Sequence, residues 1–195
     1  MKYKVVSSVL LFSVLLVGVS FAQDSHAAVH PFELQWGESG TNSGKFLHPQ
    51  QLAIDSENNI FVTDRDNSRV QKFDDQGNYI ISWKLPSPEP EEFGNPSGIA
   101  VSDGYVFVAD AKYDNVQKFD SNGNFVMEWG NFGSEAGEFR SPNGITVSDD
   151  KFIYVVDTGN DRIQKFHFDG DYVSSFGQNG KRAGNLVSPS DIAIE

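Results

Sequence analysis

Val70-Gln71-Lys72-Phe73 returns as Val116-Gln117-Lys118-Phe119 and again as Ile163-Gln164-Lys165-Phe166, first 46 and then 47 residues on. A string of this kind does not recur at a constant step by chance, so the chain is a tandem repeat with a unit of about 46 residues. Other positions keep the same step: Pro49, Pro96, Pro142 and Pro189; Asp64, Asp110 and Asp157; and the aromatic series Trp36, Trp83, Trp129 and Phe176.

Each unit reads as four short strands. In the second copy these are Gly98 to Val101, Tyr105 to Ala109, Asn115 to Phe119 and Phe125 to Trp129, separated by turn formers such as Ser102-Asp103-Gly104 and Asp120-Ser121-Asn122-Gly123-Asn124. The second strands (Ile60 to Val62, Tyr105 to Val108, Ile153 to Val156) are continuous apolar runs, which predicts cover on both faces. The first strands place a small residue (Ala53, Ala100, Thr146, Ala193) next to a branched one (Leu52, Ile99, Ile145, Ile192), as a crowded innermost position requires. No helical pattern competes.

The order G-x-F-x-x-P-x-G-I-A-V, Y-V-x-D, N-x-R-I-Q-K-F and a closing aromatic-Gly is met almost completely by Gly137-Glu138-Phe139 through Gly177, including Asp157-Thr158-Gly159-Asn160-Asp161-Arg162-Ile163. It resembles the NHL repeat. The resemblance covers residues 32–195 and implies an all-β fold, a β-propeller of four-stranded antiparallel blades. The Trp-Asp and double-glycine signatures of WD40 and kelch propellers are absent from these units.

About 3.5 repeats are present, in blades 44–83, 92–130 and 137–177, with one strand of a shared blade at 32–36 and the start of the next blade at 184–195. A six-bladed ring, the form the family implies, needs about 280 residues at this period. The chain is therefore expected to be part of a longer propeller, with open blade edges at 32–36 and at Asp191 to Ile194 that favour self-association.

Residues 1–27 read as a secretory signal peptide: Lys2 and Lys4, an apolar run from Val5 to Val19, and small residues that place cleavage after Ala22 or Ala27. Fifteen apolar residues are too few for a bilayer-spanning helix, which takes roughly 20. The folded part, residues 28–195, is expected to be secreted, extracellular or in the cell envelope. There are no cysteines, so neither disulfides nor a thiolate metal site can contribute. With 15 basic against 27 acidic residues, a nucleic-acid-binding surface is not expected.

The pairs Asp64/Arg69 and Asp157/Arg162 sit five apart across a tight turn and read as staples between strands two and three. In the second unit Asn115 stands where Arg is expected and Tyr113 where Asn is, so that unit lacks the staple. The turns Asp74 to Asn78 and Asp120 to Asn124 lack the glycine and glutamate spacing of a helix-flanked calcium loop, and turn chemistry accounts for them. His26, His30, His48 and His167 share no ligand spacing, and no Gly-x-Ser-x-Gly elbow occurs. The expectation is no catalytic residue, no metal and no cofactor.

What remains is loop surface. The loops between strands two and three and those joining blades (Lys84 to Glu92, Asn131 to Gly137, Gln178 to Ala183) share one face by analogy with propellers. Asp66, Asn67, Lys112, Tyr113, Asn160 and Asp161 are the candidate partner-binding residues there. The resemblance implies a binding module for an extracellular or envelope protein, peptide or glycan. Its alternative is a metal-dependent propeller enzyme, amidating-lyase-like or lactonase-like.

Overall fold

The computed structural model describes residues 34–194. The leader at 1–27 and its cleavage sites lie outside the described residues, as do Phe32 and Glu33 of the expected first strand.

Three four-stranded sheets follow one another, each an antiparallel meander in chain order. Blade 1 is β1 (Pro49–Ile54), β2 (Ile60–Asp64), β3 (Arg69–Phe73) and β4 (Tyr79–Lys84). Blade 2 is β5 (Pro96–Ser102), β6 (Tyr105–Asp110), β7 (Asn115–Asp120) and β8 (Phe125–Trp129). Blade 3 is β9 (Pro142–Val147), β10 (Ile153–Asp157), β11 (Arg162–Phe166) and β12 (Tyr172–Phe176). The turns between strands three and four are set by Asp74 and Asp120. Each side chain accepts backbone amides two and four residues on, from Gln76 and Asn78 and from Asn122 and Asn124. These bonds, led by the side-chain amides of Asn78 and Asn124, hold both carboxyls below the usual carboxylate range.

The blades pack face to face. One core lies between blades 1 and 2 (Phe61, Val70, Leu85, Ile99, Val106, Val108, Phe119) and a second between blades 2 and 3 (Phe107, Val116, Phe139, Ile145, Ile153, Val155, Phe166, with Ala100). The continuous apolar run of strand two is thereby explained, since β6 contributes to both cores. A third device locks the blades: the closing aromatic of one unit lies flat on the turn glycine of the next. Trp36 covers Gly77, Trp83 covers Gly123 and Trp129 covers Gly170. At Gly123 the φ of +83° and a would-be Cβ only 2.5 Å from the Trp83 ring both demand glycine.

Innermost strands of successive blades pack on one another. A Cβ at Gly98 would stand 1.9 Å from the carbonyl oxygen of Asn143, and one at Gly144 would stand 2.7 Å from the Asp191 Cα. The crowding expected at the small residues is thus most severe two positions earlier, at the glycines.

Residues 34–36 and 191–194 carry no strand pairing, because a first or fourth strand needs a neighbour in its own blade and no described residue supplies one. The segment at Ser190 and Asp191 still follows the inner path, against Gly144, and Gln51 Nε2 donates to Asp191 Oδ1 at 2.8 Å. Among the described residues no helix is long and apolar enough to cross a membrane.

Candidate functional site

Strand two of every blade ends on a fully buried aspartate: Asp64, Asp110 and Asp157. A buried carboxylate is stable only with donors around it, and blades 1 and 3 supply them in one pattern. In blade 1, Asp64 Oδ2 accepts from Arg69 Nε at 2.7 Å, Asn67 Nδ2 at 2.8 Å and Gln71 Nε2 at 3.1 Å, while Oδ1 accepts the Leu47 amide at 2.7 Å. In blade 3, Asp157 Oδ2 accepts from Arg162 Nε at 2.7 Å, Asn160 Nδ2 at 2.9 Å and Gln164 Nε2 at 3.1 Å.

The same arginine ties down the connector from the preceding blade. Arg69 Nη2 donates to the carbonyls of Asn42 and Lys45. Arg162 donates to those of Ser134, Glu135 and Glu138. Asn67 and Asn160 reach the carbonyls of Gly40 and Gly133. The buried glutamines close the ring of bonds: Gln71 donates to Lys45 O and accepts from Gly44 N, and Gln164 does the same with Glu138 and Gly137. These bonds bring the loops between strands two and three and the blade connectors to one face.

Blade 2 departs from this. Its connector buries Leu85 in the core, the place Phe139 takes before blade 3, and leaves Phe93 more than a third exposed beneath the Lys84 ammonium, 3.8 Å from its ring centre. Lys112 Nζ and the Tyr113 hydroxyl converge on Glu92 Oε2 at 2.6 and 2.9 Å. These bonds, that of Lys112 first, lower the Glu92 pKa.

The candidate partner-binding residues fall into two groups. Asn67 and Asn160 spend their amide donors inside the loops, and Asp161 holds the following connector through Asn179 Nδ2 and the Ser188 amide, bonds that lower its pKa. Asp66, Lys112 and Tyr113 lie toward solvent, Asp66 in contact with Arg65 and His48, whose hydrogen bonds lower its pKa. A further pair on this face is absent from the sequence reading: Phe132 is 64% exposed and the Arg140 guanidinium lies 5.2 Å over its ring. The Arg140 stem runs against Gly159, where a Cβ would meet Arg140 Cγ at 2.5 Å, so the glycine orders the arginine. Phe132 aligns with Ser39 and Asn179 in the other connectors and so carried no signal through the repeat.

Repeated lysines were also unread. Lys72 Nζ donates to the Ser121 carbonyl and Lys118 Nζ to that of Phe168, each crossing to the turn of the next blade. Burial lowers the Lys118 pKa, and the rings of Tyr105 and Phe168 lie 4.2 and 4.4 Å from its ammonium. Among the described residues no group of three His, Cys, Asp or Glu stands close enough to hold a metal ion.

This architecture, radial blades with clamped loops on one face, is that of a β-propeller. A 6-bladed beta-propeller family matches residues 84–179 and the NHL repeat matches residues 46–73. The fold is thus that of a β-propeller, and the chain carries a match to the NHL repeat. NHL repeat-containing protein 3 of Homo sapiens is 40% identical over 55 residues, 27% of this chain and 16% of that protein. Protein brain tumor of Drosophila melanogaster is 29% identical over 70 residues, 36% of this chain and 7% of that protein. Among solved structures, a virginiamycin B lyase from Staphylococcus aureus superposes with a TM-score of 0.56 at 19% identity, over 73% of this chain and 44% of the lyase. The periplasmic gluconolactonase of Pseudomonas aeruginosa gives 0.55 at 15%, over 73% of this chain and 41% of the lactonase. The chain thus spans less than half of each of these proteins, and the structural likeness is one of fold.

Proposed function

We propose that this chain is a binding module that engages a protein or peptide partner through the face carrying the loops between strands two and three and the blade connectors, and that it works outside the cytoplasm. The observation that carries this reading is Phe132 beneath Arg140: a large exposed aromatic with an ordered guanidinium is the composition in which interface energy concentrates. Asp66, Lys112 and Tyr113 supply polar groups on the same face. The clamps support the reading further, since loops held by buried bonds lose little freedom when a partner docks.

A metal-dependent propeller enzyme is the other reading that the fold accommodates. The Asp, Arg, Asn and Gln side chains of blades 1 and 3 on the loop face are spent on holding loops, and among the described residues no group of three His, Cys, Asp or Glu stands close enough to hold a metal ion.

A photo-activatable residue at Phe132, compared with one at the exposed Ile80 on outer strand β4, tests the binding face in the native host. Discrete protein adducts at 132 and none at 80 are expected. Adducts at 80 alone would overturn the reading, and glycan adducts at 132 would change the partner class. Export is tested separately: the mature N-terminus should follow Ala22 or Ala27, and an exported chain retaining Met1 would contradict the leader.

A further inference from the structure

The position filled by arginine in blades 1 and 3 is lined in blade 2 by oxygen. The register places Asp110 opposite Asn115, and Gln117 lies two residues further on the same face of β7. Asp110 Oδ1 is saturated by the amides of Asn95, Lys112 and Tyr113 at 3.0, 2.9 and 3.2 Å. Its other oxygen, Oδ2, has no partner among the described residues, and neither do Asn115 Oδ1, Gln117 Oε1 or Asn95 Oδ1, all of them buried. Asp110 and Gln117 are fully buried and Asn115 is 6% exposed.

Amide reorientation does not remove the problem. Gln117 Nε2 donates to the Pro86 carbonyl at 3.0 Å and Asn115 Nδ2 to Glu128 Oε2 at 3.1 Å, so turning either amide over would set oxygen against oxygen. Three amide oxygens and a carboxylate oxygen, all buried without a donor and with no guanidinium to meet them, call for a positive charge. Gly94 closes one side of Oδ2: a Cβ there would stand 1.8 Å from that oxygen, so only glycine lets the connector pass so near it.

We propose that blade 2 holds a hard cation, calcium, on Asp110 Oδ2, Asn115 Oδ1, Gln117 Oε1 and Asn95 Oδ1, at the place the arginine guanidinium takes in blades 1 and 3. Carboxylate and amide oxygens are the ligands this ion prefers, and its six to eight positions leave room for water beside four protein ligands. Glu128, against Asn115, and Asp114, four residues after Asp110, add negative charge that favours a divalent over a monovalent ion. The site is distinct from the acidic turns at Asp74 and Asp120, whose carboxylates are satisfied by their own loops.

The test is thermal unfolding of the full chain, stripped with a chelator, with calcium, magnesium, sodium or potassium added back at constant ionic strength. Calcium at a hundredfold over its dissociation constant should raise Tm by about 5–10 °C, and the others by less. The double change Tyr113→Asn with Asn115→Arg restores the pattern of blades 1 and 3. It should abolish the calcium response while matching the calcium-loaded parent in chelator. Calorimetric titration with calcium gives a second readout: one site per chain, kept in Asp120→Asn and lost in Gln117→Leu. A parent without any calcium response would show that water satisfies these oxygens and would overturn the proposal. So would calcium binding that survives both the double change and Gln117→Leu.

Discussion

Blades 1 and 3 solve one problem in one way and blade 2 solves it in another. All three bury an aspartate at the end of strand two, yet only the outer two surround it with Arg, Asn and Gln donors and use the same arginine to fasten the incoming connector. In blade 2 the arginine is Asn115, the connector holds itself through Leu85 in the core, and Glu92 meets Lys112 and Tyr113 at the surface. The apolar packing between blades is alike in both cases. The repeat therefore divides its labour: the hydrophobic faces make the blade, and the polar clamp makes the loop face.

The largest effect expected from this comparison is at the clamp. Arg162→Ala leaves fully buried Asp157 without its cation and frees three connector carbonyls. It should cost about 3–5 kcal/mol in denaturant unfolding, and Arg69→Ala about the same. Asn115→Ala, at the matching position of blade 2, should cost less than about 1 kcal/mol in the chelated protein. Equal losses in all three blades would break the comparison.

A smaller effect separates the blades by pH. Burial first, and then the charges of Asp110 and Asp157, raise the Asp114 pKa above its ordinary 3.8. The folded state therefore holds this proton more tightly than the unfolded chain does. The resulting stability is fully present below the unfolded value and is lost as pH rises through the folded one. Asp114→Asn keeps an oxygen for the Ser141 amide and removes the charge. Its stability relative to the parent should be higher at pH 7 than at pH 4, and a difference that does not change with pH would contradict the assignment.

The smallest effect concerns the turn backbone. Ser68, Asp114 and Asp161 hold equivalent positions with φ of 53°, 55° and 55°, the left-handed region that a serine adopts at a cost. Ser68→Gly should stabilise blade 1 by about 0.5–1 kcal/mol in the same denaturant assay, and a loss of that size would show that the Ser68 side chain has a role of its own.

Most of the fold was legible because it is written three times. The recurrence of Val70 to Phe73 fixed the period, and the spacing of Asp64 and Arg69 announced a pair that the structure closes at 2.7 Å. Where the chain departs from its own pattern, the reading thinned. Leu85 sits in a blade-joining stretch of prolines and glutamates, and only three-dimensional packing shows it entering the core. The lysines of the repeated string were visible but mute, because their partners are carbonyls about 50 residues on, which carry no side-chain signature. The loss of arginine at Asn115 could be read directly. That it leaves four buried oxygens without donors could not, since this depends on where the amides of Asn95 and Gln117 point. Residues 34–36 and 191–194 stay unpaired for a simpler reason: strand patterning is local, while pairing needs a neighbour.

The claim that polar clamps fix the loop face is tested most directly by amide hydrogen exchange followed by mass spectrometry. The connectors at 37–46 and 130–139 and the loops at 65–68 and 158–161 should exchange slowly, in step with the strands of their own blades. The segment at 86–92, which has no arginine to hold it, should exchange faster by at least tenfold in the chelated protein. Equal protection of all three connectors would contradict the account, as would rapid exchange at 130–139 while Arg162 is intact.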